Sequence, residues 1–297
     1  MKSYFSTLFI LITTTFYSVI GQTNNEKFFS WQTIENHLEI GVGYAHPYLK
    51  DASTSPLLHT GSGTQANFNY FLINDNFYTS AEVYGNFALL GNKFESADEN
   101  PLRAIFLDVN IDAGLKVYEF NKVYFYPGIK INYNNHQWSK NIYSNSAYQY
   151  NTSLFTGLHL YAERPVYFKG NIRTINDKQY KYPPDLKFSF DFSLPLIGGY
   201  VKPMYHGFSD IVDPGAQAVS SDSLVHGASI FKGMLIIETR LNADYLLKNG
   251  NSLRLTYWWK FHEFKNESYL YQYAIQGISF AFIFRLDKNI ERIETIK

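Results

Sequence analysis

In residues 252–264, SLRLTYWWKFHEF, Leu253, Leu255, Tyr257, Trp259 and Phe261 are apolar or aromatic, whereas Arg254, Thr256, Trp258, Lys260 and His262 carry nearly all the polarity. Alternation of period two marks a strand with two unlike faces. In a soluble protein the apolar face lies on a core and the charges meet water. In a transmembrane barrel the arrangement inverts, with aromatics toward lipid and charges toward the lumen.

The same alternation recurs about a dozen times along the chain. Leu38, Ile40, Val42 and Tyr44 oppose His37 and Glu39; Ala66, Phe68, Tyr70 and Leu72 oppose Gln65, Asn67 and Asn69; Ala81, Val83 and Phe87 oppose Ser80 and Glu82. Ile105 to Val117 sets aliphatics against Asp108, Asn110, Asp112 and Lys116, and Val123, Phe125, Ile129 and Ile131 face away from Lys130 and Asn132. Leu154, Leu158 and Leu160 oppose His159 and Glu163; Leu186 to Phe192 opposes Lys187 and Asp191; Leu235 to Tyr245 opposes Glu238, Arg240 and Asp244. The last strand ends on Ile278, Phe280, Phe282 and Phe284. Residues 166–174 and 200–207 are read as two further, irregular strands, giving about twelve.

The connections alternate in length. Residues 46–62, 92–102, 134–149, 175–185 and 208–226 read as long and polar, whereas 73–76, 118–122, 163–165 and 247–251 are tight. An even strand count places both termini on the short-turn side. Parity also fixes one hairpin: a three-residue loop of Lys248, Asn249 and Gly250 pairs 247 with 251, puts glycine where a left-handed residue is wanted, and sets Glu238 against Lys260 and Asp244 against Arg254. A two-residue Asn74-Asp75 loop would place Leu72 opposite Phe77 and Asn67 opposite Glu82.

At the N-terminus, Lys2 precedes an uncharged, largely apolar run from Tyr4 to Ile20, with Val19 and Gly21 as small residues before Gln22. This is the pattern of a cleaved signal peptide; the polar Thr13–Thr15 run and the QTNN that follows fit cleavage better than an uncleaved anchor. No other stretch approaches the roughly 20 apolar residues of a spanning helix. The chain has no cysteine, which excludes disulfides, thiol catalysis and a lipidated N-terminal cysteine. Its 26 basic and 26 acidic residues cancel, leaving no electrostatic case for nucleic acid. Tyrosine and phenylalanine number 25 each, a composition that suits strands and membrane interfaces.

Long unbroken apolar faces, strands of nine or more residues and loops segregated by length argue against a soluble sandwich. Residues 36–286, down to the terminal strand AIQGISFAFIF, resemble a bacterial outer-membrane β-barrel. The resemblance implies an all-β, antiparallel up-and-down transmembrane barrel of about twelve strands with short periplasmic turns and long extracellular loops. The expected parts are a signal peptide (1–21), a short periplasmic segment (22–35), the barrel (36–286) and a periplasmic tail (287–297), a departure from barrels that stop at a terminal aromatic.

In that reading Glu39, Glu82, Asp108, Asp112, Lys116, Lys130, His159, Glu163, Lys187, Asp191, Glu238, Arg240, Asp244, Arg254 and Lys260 line the lumen, with Lys169 and Arg173 completing a balance of signs. Leu253, Leu255, Tyr257, Trp259, Phe261, Phe280, Phe282 and Phe284 face lipid. The stretch NNHQWSKN invites comparison with the outer-membrane phospholipase A family, which would imply acyl-ester hydrolysis. That family's motif is histidine, one residue, serine. Here His136 and Ser139 are three apart and face opposite ways on a regular strand, so a bulge would be needed, with Asn145 as orienting residue. His37, Glu39, His159, Glu163 and His262 do not share a metal spacing, and Asp210 and Asp213 lack that of a calcium loop. No cofactor or metal is expected.

Three functions remain. The first is a narrow porin-like channel for small polar solutes. The second is a membrane-embedded acyl hydrolase. The third is a non-conducting barrel whose loops, notably 208–226, bind a partner. The expected surroundings are outer-membrane lipid.

Overall fold

The computed structural model describes residues 35–52, 55–74, 76–98, 100–140, 148–168, 172–175, 178–181, 184–203, 224–230, 234–247, 249–266, 269–287 and 294–296. The expected signal peptide lies outside these residues. The strands are β1 (Glu35–Asp51), β2 (Ser55–Ile73), β3 (Phe77–Gly91), β4 (Leu102–Leu115), β5 (Tyr118–Phe120), β6 (Val123–Ser139), β7 (Tyr148–Val166), β8 (Ile172–Ile175), β9 (Lys178–Lys181), β10 (Leu186–Pro203), β11 (Leu224–Ile230), β12 (Met234–Leu246), β13 (Ser252–Asn266), β14 (Tyr269–Arg285) and β15 (Glu294–Ile296).

Alternating strands with one apolar face can close on themselves, which removes the edges that an open sheet would expose. Ten strands, β1, β2, β3, β4, β6, β7, β10, β12, β13 and β14, pair antiparallel in that order, and β14 returns to β1. The short β11 pairs with the far half of β10, between Ile197 and Pro203. One end of the barrel carries both strand termini, Glu35 and Arg285; we call it the terminal end, and the opposite end the far end.

The barrel therefore has ten strands rather than twelve. The segments expected as separate strands at 186–192 and 200–207 belong largely to the single strand β10, which runs to Pro203. Pro195 and the Gly198-Gly199 pair imitate a turn in the sequence, but a register shift at Pro195/Ile197 against β7 absorbs them as an irregularity within one ladder. The segment expected at 166–174 leaves the barrel after Val166. Its residues 172–175 form β8, which pairs with β9, and β9 pairs with β15 of the C-terminal tail. The long connection 167–185 thus sits at the terminal end, not among the far loops. Asp185 ties its base down, donating its backbone N–H to Val166 O at 2.9 Å and accepting from Leu246 N at 3.0 Å.

The turns divide. The 247–251 hairpin has the expected register: Glu238 pairs with Lys260 and Asp244 with Arg254, Leu247 N bonds Asn251 O at 2.9 Å, and Gly250 sits at φ 100°. The first turn is longer than expected by two residues. Ile73 pairs with Tyr78, so Asn67 opposes Tyr84 and Asn69 opposes Glu82. Asn74 Oδ1 accepts from both Asn76 N and Phe77 N at 2.7 Å, a side-chain turn that holds the loop open. Because the slip is two, every side chain keeps its face.

At the far end, 46–62 and 134–149 are mostly strand, since β1 reaches Asp51, β2 starts at Ser55, β6 reaches Ser139 and β7 starts at Tyr148. On these extensions polar residues such as His46, Lys50 and Gln137 point outward, which reads as loop when only composition is weighed.

Candidate functional site: the barrel interior

The interior is layered along the axis. Nearest the terminal end, Phe71, Tyr78, Tyr126, Tyr161 and Ile283 form a buried cluster, with Tyr78 and Tyr161 stacked at 4.4 Å between centroids. Tyr161 and Tyr126 donate to the two oxygens of Glu163 at 3.0 and 3.3 Å.

A polar layer follows. Arg254 donates to both oxygens of Asp244, at 2.6 and 2.8 Å, and to Glu39 at 2.7 Å; Glu39 also accepts from Asn67 at 2.8 Å. Lys187 lies 3.4 Å from Glu163 and 3.8 Å from Asp244. Arg240 grips Glu82 bidentately, at 3.0 and 2.9 Å. Glu238 is the hub: Lys130 lies 2.6 Å and Lys260 2.7 Å away, and Ser193 donates at 3.2 Å. Lys260 reaches Asp108 at 3.0 Å and Asn134 at 2.9 Å. Ser80 donates to Asp112 at 3.0 Å, and His159 bonds Asp191 at 3.0 Å. Such partners are what allow charges to be buried at all.

The third layer, toward the far end, is apolar. Leu49, Leu90, Leu102, Phe106, Trp138, Phe155, Tyr200, Ile236, Phe264, Tyr271, Tyr273 and Ile275 are buried together. Phe106 packs on Tyr273 at 4.5 Å and Tyr200 on Phe264 at 4.8 Å.

Of the residues expected to line a lumen, Glu39, Glu82, Asp108, Asp112, Lys130, His159, Asp191, Glu238, Asp244, Arg254 and Lys260 are buried inside the wall, and Glu163, Lys187 and Arg240 are partly buried there. Lys116 instead follows β4 in a terminal-end turn, 3.5 Å from Glu119 and over the Tyr124 ring at 3.9 Å. Lys169 lies outside the described residues, and Arg173 belongs to β8. Among the described residues, the layer holds all of the expected acids but not all of the expected cations. Three buried histidines stand beside acids of this layer: His136 at 3.2 Å from Asp108, His159 at 3.0 Å from Asp191 and His262 at 3.8 Å from Glu238. On the outer surface Leu255, Tyr257, Phe280 and Phe284 are exposed, and Leu253, Trp259, Phe261 and Phe282 are half-exposed.

The candidate hydrolase set does not assemble. His136 points inward, bonded to Tyr271 Oη at 2.9 Å and Asp108 at 3.2 Å, whereas Ser139 faces outward on the same strand. Asn145, Asp210 and Asp213 lie outside the described residues. Among the described residues no group of three or more His, Asp or Glu could hold a metal ion.

Residues left out of the candidate set complete the interior. Asn110, Asn132 and Asn134 link Glu82 to Lys260 in a ladder of amides. Their signal was present, since they share parity with Asp108, Lys130 and His136. The apolar layer had a weaker one: Phe264 falls on the parity of Arg254 and Lys260.

No protein-family model matches the chain, and no curated protein does. Among solved structures, the outer membrane protease OmpT from Escherichia coli aligns at 8% identity over 87% of this chain and 98% of that one, with a TM-score of 0.45. The translocator domain of autotransporter NalP from Neisseria meningitidis aligns at 7% identity, covering 94% and 97%, with a TM-score of 0.32. The COG4313 outer membrane channel from Pseudomonas putida F1 aligns at 5% identity, covering 89% and 100%, with a TM-score of 0.32. These are loose likenesses of barrel shape.

Proposed function

We propose that the chain is a bacterial outer-membrane β-barrel whose interior is closed to solutes and whose far end stands outside the cell as a binding surface. The observation that carries this reading is the apolar layer, whose rings from opposite walls meet across the interior above the polar layer. A ten-stranded barrel is close to the eight-stranded size that side chains fill unaided. Support for the membrane comes from the outer surface, where Ile40, Val42, Tyr44, Leu255, Tyr257, Ile278 and Phe280 stand exposed in one band. Apart from the connection 167–185, the terminal end carries short turns, such as those at 74–76 and 247–251, which suits the periplasm.

A narrow porin-like channel for small polar solutes is the second reading, favoured by the polar layer. It requires both aromatic layers to part. Hydrolysis has no support in the placement of His136 and Ser139.

The test starts with the chain lacking residues 1–21, folded in detergent and run on a gel with and without boiling. A heat-modifiable shift is expected for a closed membrane barrel; solubility without detergent would remove the membrane assignment. In planar bilayers the protein should add no steady conductance. Stepwise channels from unmodified protein would overturn the closed interior and restore the porin-like reading.

A further inference from the structure

Several buried side-chain atoms of the polar layer have no hydrogen-bond partner, among them Asn67 Oδ1, Asn69 Oδ1 and His159 Nδ1, and two such atoms, on Asn86 and Trp258, belong to residues that line one cavity. A cavity of about 30 Å³ opens beside Tyr84, Asn86 and Trp258. Asn86 is 3% exposed and Trp258 8% exposed, and neither Asn86 Oδ1 nor Trp258 Nε1 has a hydrogen-bond partner. One is an acceptor and the other a donor. Next to Asn86 on the neighbouring strand, Gln65 leaves both ends of its amide unpartnered.

The wall is built to hold the indole there. Trp258 pairs across the ladder with Gly277, where a Cβ would come within 2.8 Å of Trp258 Cζ2, so the ring occupies space that only glycine leaves. A buried polar atom without a partner carries its full desolvation cost, and two facing one cavity is a costly arrangement if the cavity is dry.

We propose that this cavity is an internal water site, in which a water accepts from Trp258 Nε1 and donates to Asn86 Oδ1. The volume suits one or two waters, which need about 10–15 Å³ of such space each and two to four polar partners. Charge argues for water over an ion. The carboxylates on the cavity wall, Asp108, Asp191 and Glu238, are matched in number by Lys130, Arg240 and Lys260. The cavity is lined by residues of the polar layer.

Hydroxyl radicals generated from water by X-ray pulses label aromatic rings beside bound water as well as those on the surface. In the detergent-folded protein, Tyr84 at the cavity should be oxidised within about threefold of exposed Tyr118, and Tyr161, also buried but packed among rings and Glu163, at least about tenfold more slowly. Asn86→Leu should lower Tyr84 labelling and lower the thermal midpoint by about 2–4 °C, because the water loses an acceptor. Trp258→Phe should have the same effect by removing the donor, which keeps the test open if one variant does not fold. Tyr84 labelling as slow as that of Tyr161, with Asn86→Leu raising the midpoint, would overturn the proposal, since deleting an unsatisfied amide from a dry site stabilises.

Discussion

The terminal and far halves of the barrel wall follow one alternation with opposite chemistry. On β13, the terminal half turns Leu255, Tyr257 and Trp259 outward and Arg254, Lys260 and His262 inward; a few residues on, Glu263 and Lys265 point outward and Phe264 is buried inside. The neighbouring strand β14 does the same in reverse order. Phe284, Phe282, Phe280 and Ile278 face outward, then Gln276 and Gln272, while Ile275, Tyr273 and Tyr271 fill the interior. Outside, Gln272 Nε2 donates to Glu263 at 2.6 Å, a pair suited to water. The far half thus holds an apolar layer beside buried Asp51, His59, Lys140, Gln149 and Asn151, and the terminal half a polar layer behind an apolar outer band. On the proposed reading, the two halves of the wall meet different solvents, water at the far end and lipid along the outer band.

Four measurements break or sharpen this contrast. Glu238→Gln should be the most severe, because it leaves the buried ammoniums of Lys130 and Lys260 short of an anion; a loss of about 4 kcal/mol is expected in the midpoint of heat-modifiable unfolding. A neutral outcome there would mean that the polar layer is freely hydrated rather than held by its pairs. Phe264→Ala, in the opposite half, should cost about 3 kcal/mol by opening a cavity in the apolar layer, and would have little effect if that layer were loosely packed.

The outer faces can be compared on β1 itself. Val42→Arg, at 65% exposure in the apolar band, should cost about 2–3 kcal/mol if the band meets lipid, whereas His46→Arg, one turn of the pleat beyond Tyr44, should stay within about 0.5 kcal/mol. Equal costs at both positions would remove the boundary. The smallest effect concerns the far rim. A hydrogen bond from Lys140 holds the Glu95 carboxyl below its ordinary value, and Asn92 Oδ1 caps Phe94 N and Glu95 N at 2.8 and 3.2 Å in the same loop. A depressed carboxyl contributes stability above its ordinary value and loses it as pH falls through the depressed one. Proteolytic nicking of 92–101 should therefore rise only in strong acid, and Lys140→Gln should move that onset upward in pH. An unchanged onset in the variant would show that the loop is held by its Asn92 turn alone.

How much could be read in advance depends on the range of each interaction. Parity is local, so the inward placement of Glu39, Asp108, Lys260 and their neighbours was legible, as was the 247–251 register, where a single glycine and two acid–base pairs agree. The first turn was not, because it hangs on whether Asn74 folds its own side chain over the next two amides. Strand β10 is not legible as one strand, because Pro195 and two glycines resemble a turn until the ladder against β7 is seen to run past them. The apolar layer is hidden for a related reason: Phe264, Tyr271 and Tyr273 put rings on the inward parity of their strands only beyond the outer band, where the outward residues turn polar.

The alternation by itself determined an antiparallel barrel and the face on which each side chain falls, since both follow from the two-residue period of an extended chain. Closure decided the rest. Ten strands bring side chains from distant parts of the chain across one axis, and only there does it emerge that Glu238 serves two lysines, that rings from β4, β7, β10, β13 and β14 meet in the far half, and that the C-terminal tail adds a third strand beside β9. Those contacts depend on ring size and on which partner arrives opposite, and no local period encodes either.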